Sequence, residues 1–370
     1  MKKLLFGAYS LDIGGIEKAL VMLLNKLQEK NYDITLVLEK KQGIFLNEID
    51  PKIKIIEYTP SNSKNIIQRK LVNLLKKIKF TIKYKNKFDF SVCFATYSLP
   101  ASFVTRAASQ NCYLWGHADY LSLFNGNKQE MKNFFLERKY NEFKKVIFVS
   151  NEGKESFIKI FPEMKNKTIV CNNLIDANKI SNLANEKISD EELKLIKNAN
   201  NTNGKQTIFI NVGRHEEKQK KLSRLIDTAS LLKKDSLNFK IIFIGDGPET
   251  DEYKKQVREK QLENNIVFLG KKQNPYPYFK ISDCVILTSD YEGYPVVFLE
   301  SFILNKPIIT TKVSDYKEVE NKYGYVTEKN TKDIYQKMKL FIENGFEIKE
   351  KFDYKKYNKE ILEKIEKLFN

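Results

Sequence analysis

Short apolar runs alternate with longer amphipathic stretches along this chain. "KLLFGAYS" reads as a strand and "GIEKALVMLLNKLQEKN" as a helix, because Ile16, Leu20, Leu23, Leu24 and Leu27 recur at helical spacing. "YDITLVLE" is a second strand. "DFSVCFAT", "NCYLWGH" and "KKVIFVS" follow, each trailed by a polar or helical stretch. Strand and helix in repetition predict a parallel sheet covered by helices. The rhythm breaks across a polar stretch from 176 to 205, which ends in an Asn/Thr/Gly cluster. It resumes with five strand-like runs, "QTIFINVGR", "NFKIIFIGDG", "NIVFLG", "DCVILTS" and "KPIITT". Two doubly wound α/β units of similar size are therefore expected. In such sheets ligands lie outside the carboxyl ends of the strands, which places the expected site in the cleft between the units.

Length and composition fit this division. The chain has 370 residues, more than one ordinary core organises. Its 42% hydrophobic and 30% charged residues suit a folded protein rather than a disordered one. No apolar run approaches the roughly eighteen residues of a membrane-spanning helix. In "MKKLLFGAYSLDIGG" the apolar run is short, and Asp12 and a glycine pair follow at once, which reads as a buried first strand rather than a signal peptide. Cys93, Cys112, Cys171 and Cys284 stand far apart without a Cys-x-x-Cys pair, and are expected as reduced residues of a cytoplasmic protein. Two histidines argue against a zinc site, and no Asp-x-Asp pair occurs. Neither a metal nor an organic cofactor is expected.

The net charge of +17 calls for an anionic partner, or reflects lysine scattered without function. The most basic stretch is "KNIIQRKLVNLLKKIKFTIKYKNK", residues 64–87. As a helix it places Ile67, Leu71, Leu74, Leu75, Ile78 and Ile82 in one stripe, flanked by Lys70, Lys76, Lys77, Lys79 and Lys83. Two readings follow. The stripe packs on the core of the first unit with a solvated basic back, or it lies on an anionic membrane surface.

Four strand ends carry candidate chemistry. "GGIEKA" at 14–19 opens a helix, where Gly15 lets backbone N–H groups approach an anion; alone it is an ordinary turn. "VGRHEEKQKKLSRLI" at 212–226 puts Arg214 after a strand, with Lys218, Lys220 and Lys221 before a helix. Converging cations suit a diphosphate, and a solvated basic loop is the plain alternative. "IIFIGDGPE" turns at Gly245. "YLWGHADY" brings His117 to another strand end, where a structural histidine is the commoner case. In "CVILTSDYEGYPVVFLESFILN", a strand, a loop and a helix follow one another, with Pro295 suited to the first helical turn. Glu292 is then expected at the helix N-terminus and Glu300 two turns on, both on one helical face, each able to accept hydrogen bonds from a polyol. A dipole partner plus a surface glutamate is the alternative.

Together these motifs resemble the retaining glycosyltransferases of family 4, with the two-domain GT-B fold of Rossmann-like units. The resemblance covers nearly the whole chain and is strongest from 206 to 327, where two glutamates with seven residues between them are its most specific feature. "GGIEKA", "VSNEGKESF" and "NNLID" match weaker patterns; in the last, Leu174 replaces a usual proline at the hinge. The resemblance implies an acceptor-binding unit at 1–180, a nucleotide-sugar-binding unit at 181–350, and a helix at 351–370 packing back on the first unit. It implies a nucleotide-sugar donor, UDP-linked by family frequency, and a glycan or lipid-linked acceptor in bacterial cell-surface polysaccharide synthesis. Glu300 would bind the ribose. Glu292, with the backbone of Gly293, Tyr294, Pro295 and Val296, would hold the donor sugar and its phosphate. Arg214 and Lys220 would clamp the diphosphate, with Lys218 and Lys221 as alternatives to Lys220; Lys221 stands where the family has glycine. Gly15 and Gly245 would border the ligand, and His117 would lie close to the reacting sugar. Arg214 and Lys220 sit in a predicted surface loop, so their loss should leave folding nearly intact.

Three other readings are weighed. A dehydrogenase lacks its Gly-x-Gly-x-x-Gly fingerprint here. A nucleic-acid binder would use the charge, but no zinc-finger or RNP motif is present, and no nucleic-acid partner is expected. A phosphorylase or epimerase of the same fold differs only in its products.

Overall fold

The longest apolar runs become the inner strands of two sheets in a computed structural model that describes residues 1–12, 14–197 and 205–369. The first sheet has seven strands: β1 (Lys3–Ala8), β2 (Asp33–Leu38), β3 (Lys54–Glu57), β4 (Phe90–Cys93), β5 (Cys112–Gly116), β6 (Lys145–Phe148) and β7 (Thr168–Val170). Their order is β3-β2-β1-β4-β5-β6-β7, all parallel. The second has six: β8 (Thr207–Val212), β9 (Phe239–Ile244), β10 (Ile266–Phe268), β11 (Cys284–Leu287), β12 (Ile308–Thr311) and β13 (Gly324–Thr327). Their order is β10-β9-β8-β11-β12-β13, again all parallel. Both sheets are doubly wound. Strand order reverses beside β1 and β4 in one and beside β8 and β11 in the other, so the loops after those strands diverge and leave room for a ligand.

The chain divides into two compact units, Met1–Ile175 with Lys355–Asn370, and Asp176–Tyr354. Residues 176–197 of the polar stretch are folded on the second unit. Glu192 pairs with Lys272 and accepts from Tyr278, and Asn274 Nδ2 donates to the Leu183 carbonyl at 2.8 Å. The chain end belongs to the first unit. Phe369 is fully buried among Phe6, Tyr32, Phe90 and Tyr113, and the Tyr113 hydroxyl donates to the Leu368 carbonyl at 2.7 Å. Leu174 is buried, and the side chain of Asn358 both donates to and accepts from the backbone of Ile175. All four cysteines are free and buried.

The basic stretch forms the helix Ile66–Tyr84, capped by the Asn65 side chain on the N–H groups of Ile67 and Gln68. Of the two readings of its apolar stripe, burial on the core is overturned. Phe80 is the buried anchor, set among Tyr58, Tyr84 and Phe103, while the stripe residues stay exposed. Among the described residues, no helix is long and apolar enough to cross a membrane.

Candidate active site in the second unit

Two loops meet at the switch point between β8 and β11. The first, Gly213–Lys221, leaves β8 and enters the helix Leu222–Lys234; the second, Thr288–Pro295, leaves β11 and enters the helix Val296–Ile303. Backbone and side chains tie them together. The Asp290 N–H donates to the Gln219 carbonyl at 2.8 Å, and the Thr288 hydroxyl reaches the Lys220 carbonyl at 2.9 Å. Arg224 adds a pair to Asp290 at 2.7 Å.

Glu292 is the centre of this junction. Its Oε1 accepts from Lys220 Nζ at 2.6 Å and from the Ser289 hydroxyl at 2.7 Å, while Oε2 accepts from Gln219 Nε2 at 3.1 Å. The Lys220 side chain is 17% exposed and that of Glu292 is 9%. The Lys220 stem runs back over Gly213, where an added Cβ would lie 3.3 Å from its Cε. Removing one charge from so enclosed a pair leaves the other poorly solvated. The expectation that Lys220 stands in a surface loop free of structural duty is therefore corrected. It holds for Arg214, whose side chain is 71% exposed and pairs with Glu216 at 3.4 Å. Both Arg214 and Glu292 act on Tyr291: burial pushes its phenol up to about 12, Glu216 and Glu292 add to the rise, and Arg214 opposes it. Lys218 is exposed; Lys221 lies 3.5 Å from Glu217 and 3.9 Å from Asp290. Lys221 has φ 51° and ψ 49°, a left-handed conformation that glycine adopts at less cost.

The two glutamates do not share a helical face. The helix begins at Val296, with Pro295 at the N-cap, so Glu292 lies in the loop and Glu300 is one turn inside. Proline also biases the preceding residue, Tyr294, away from helix, which keeps the loop extended up to that point. Glu300 is buried and accepts from the Tyr276 hydroxyl at 2.8 Å. Burial, then the Glu300 charge, raises the Tyr276 pKa well above that of a free phenol. The Gly293 carbonyl accepts from Ser314 at 2.6 Å, and the Tyr294 hydroxyl donates to Glu318 at 2.5 Å. Burial raises the Glu318 pKa above its usual range.

Gly245 closes the neighbouring turn. Its φ is 143°, and an added Cβ would meet the Gly213 carbonyl oxygen at 1.8 Å. Only glycine lets the two strand-end loops approach this closely. His215, which sequence reading passed over, is buried beside it, with Nδ1 2.9 Å from the Thr250 hydroxyl. Gln219, Ser289 and Tyr276 were passed over too. Gln219 and Ser289 are sequence neighbours of residues already singled out, but Tyr276 carries no local sign of its contact with Glu300.

Two expected site residues belong to the first unit. His117 follows β5, lies parallel to Trp115 with ring centroids 6.4 Å apart, and sits 4.3 Å from Phe94. Both its ring nitrogens are buried without a hydrogen-bond partner, and burial pushes its pKa down to about 3. Gly15 is the first residue of the helix Gly15–Glu29, whose first turn already holds Glu17. Arg138 was not expected: it is buried and donates to the Thr96 and Tyr97 carbonyls at 2.7 and 3.2 Å, fixing the loop after β4. Among the described residues, no group of three or more His, Cys, Asp or Glu is placed to hold a metal ion.

Residues 192–360 match the family model for glycosyl transferases group 1. A glycosyltransferase of Methanocaldococcus jannaschii is 30% identical over 166 residues, 45% of this chain and 39% of that relative. The poly(ribitol-phosphate) alpha-N-acetylglucosaminyltransferase of Staphylococcus aureus is 25% identical over 373 residues, 86% of this chain and 74% of that relative. The match thus spans about two fifths of the first relative's length and about three quarters of the second's. Among solved structures, HepE of Anabaena in complex with UDP superposes with a TM-score of 0.75 at 19% identity, over 99% of this chain and 100% of that one. The paired parallel sheets are those of the GT-B fold, and residues 192–360, a little under half of the chain, are similar to the group 1 glycosyl transferases.

Proposed function

We propose that this protein is a cytoplasmic, retaining, metal-independent glycosyltransferase. It moves a sugar from a UDP-sugar to a glycan or lipid-linked acceptor of cell-surface polysaccharide. The observation that carries the reading is the Lys220–Glu292 pair at the switch point, with exposed Arg214 on the same loop. Breaking a sugar–diphosphate bond leaves negative charge on the diphosphate. Arg214 and Lys220 stabilise it, and an ammonium has three N–H groups, so Lys220 can keep Glu292 and still donate to phosphate. The N-terminus of the helix Val296–Ile303 adds its dipole. Glu292 Oε1 is taken by two donors and Oε2 by Gln219, which leaves acceptor capacity on Oε2 for a sugar hydroxyl. Glu300, oriented by Tyr276, accepts from the ribose. In the first unit, burial keeps His117 neutral. HepE, which is similar in fold, is described in complex with UDP.

The test is a thermal-shift series with nucleoside diphosphates, followed by product analysis with nucleotide sugars. UDP at a hundred times its dissociation constant should add about 2.7 kcal/mol of stability. A new glycoside with the donor's anomeric configuration supports transfer with retention. Sugar phosphate or epimerised donor as the only product replaces this reading with a phosphorylase or an epimerase.

A further inference from the structure

The helix Ile66–Tyr84 turns its apolar side outward. Ile67, Leu71, Leu74, Leu75, Ile78 and Ile82 are between 46% and 79% exposed, and they make up much of the large apolar surface exposed by the described residues. At about 100° per residue these six fall within an arc of roughly 100°. Phe80, the buried anchor, projects to nearly the opposite side. The stripe is therefore not the edge of a packed face. Cations border it on both sides. By the same projection Lys79 and Lys83 lie along one margin and Lys70 along the other. Lys76 instead bends back to the Thr59 carbonyl at 2.8 Å, and Lys77 lies over the Phe103 ring. From 64 to 87 the chain has nine lysines and arginines and no acidic residue.

We propose that this helix docks the first unit on an anionic lipid surface, with the stripe among the acyl chains near the headgroups and the lysines on the lipid phosphates. A hydrophobic stripe between cationic margins is the pattern that lies flat in such an interface. Charge selects lipid over a second copy of the chain. Two of these helices face to face would oppose cation to cation, whereas an anionic headgroup layer complements both margins at once. The proposal does not depend on the chemistry assigned to the second unit, so either can fail alone.

The experiment is flotation of the full-length protein with vesicles of equal parts phosphatidylcholine and phosphatidylglycerol, against phosphatidylcholine alone. Binding should need the anionic lipid and weaken with salt, because screening shortens the reach of the lysines. Each lysine at such a surface contributes on the order of five-fold in partitioning. The triple substitution Lys70→Gln, Lys79→Gln and Lys83→Gln should then weaken binding by about a hundred-fold. A second variant, Leu71→Ser with Leu75→Ser and Ile78→Ser, should remove binding while leaving the thermal melting point unchanged, since the stripe faces away from the core. Absent vesicle binding, or binding that either variant leaves intact, overturns the proposal. A dimer in solution that the serine variant converts to monomer, without vesicle binding, assigns the stripe to a second copy instead.

Discussion

The carboxyl ends of the two sheets are made of different materials. In the second unit, charge joins the segments after β8 and β11 side chain to side chain: Lys220 of the loop to Glu292, and Arg224 of the helix that follows it to Asp290. In the first, the loops after β4 and β5 meet through rings, with Phe94, Trp115 and His117 in contact, and the buried Arg138 donates to backbone carbonyls. The chain's two histidines show the same contrast. His215 has Thr250 on Nδ1 and the Asp246 charge opposing its loss of basicity; neither nitrogen of His117 has a partner. A charged network holds its members in place and is damaged by the loss of any one. A ring-lined wall supplies shape and low polarity, and keeps a histidine neutral.

The sharpest way to break this comparison is at the network's centre. Lys220→Ala should cost about 3 kcal/mol of stability, because it strands a nearly buried carboxylate. It should also cut turnover by about 10²-fold or more, as loss of a transition-state charge partner does. Urea denaturation and steady-state turnover measure the two effects. Wild-type stability in this variant would mean that Ser289 and Gln219 suffice to hold Glu292.

Arg214→Ala separates catalysis from structure in the same loop. Turnover should fall by about 10²-fold. Stability should stay within about 0.5 kcal/mol of wild type, since this side chain is mostly in solvent. A large loss of stability with turnover intact would reverse the roles given to the two cations.

The proposed function divides the labour between the two glutamates, Glu292 toward the sugar and Glu300 toward the ribose. Glu300→Ala should weaken UDP binding by about ten-fold, the scale of one hydrogen bond to a charged group. Glu292→Ala should leave UDP affinity within about two-fold while abolishing transfer, if its carboxylate serves the sugar as proposed; it bears the stability cost of a broken pair as well. Calorimetric titration with UDP decides this. Equal losses of affinity in both variants would refute the division.

What could be read in advance follows from how each feature is stabilised. The inner strands are buried on both faces and so appear as unbroken apolar runs. The edge strands β3, β7 and β13 went unrecognised. "KIIE" and "TIV" are too short and too mixed to stand out, and "GYVT" begins on a glycine. The glutamate spacing predicted a shared helical face that the structure does not have, because Pro295 sets the helix start and takes Glu292 off the helix. The Lys220–Glu292 pair spans 72 positions, and nothing local encodes it. The basic helix has the same amphipathic pattern whichever way its stripe faces, and only the contacts of Phe80 decide the matter.

The smallest expected effect tests the ring-lined wall itself. His117 has a folded pKa of about 3, below the ordinary histidine value of about 6.5. Between these values the unfolded chain binds a proton that the folded one does not, so stability falls as the pH drops through that window and is fully present above it. One such group contributes at most about 1.4 kcal/mol per pH unit. His215 is lowered as well, by burial first, and adds to the same loss in the second unit. Urea denaturation at about pH 7 and about pH 5 should show wild type less stable at the lower value. His117→Phe, which keeps a ring against Phe94, should remove part of that difference and leave the His215 part. If His117→Phe loses as much stability on acidification as wild type does, His117 takes up its proton without cost, and the wall after β5 is wetter than its aromatic lining implies.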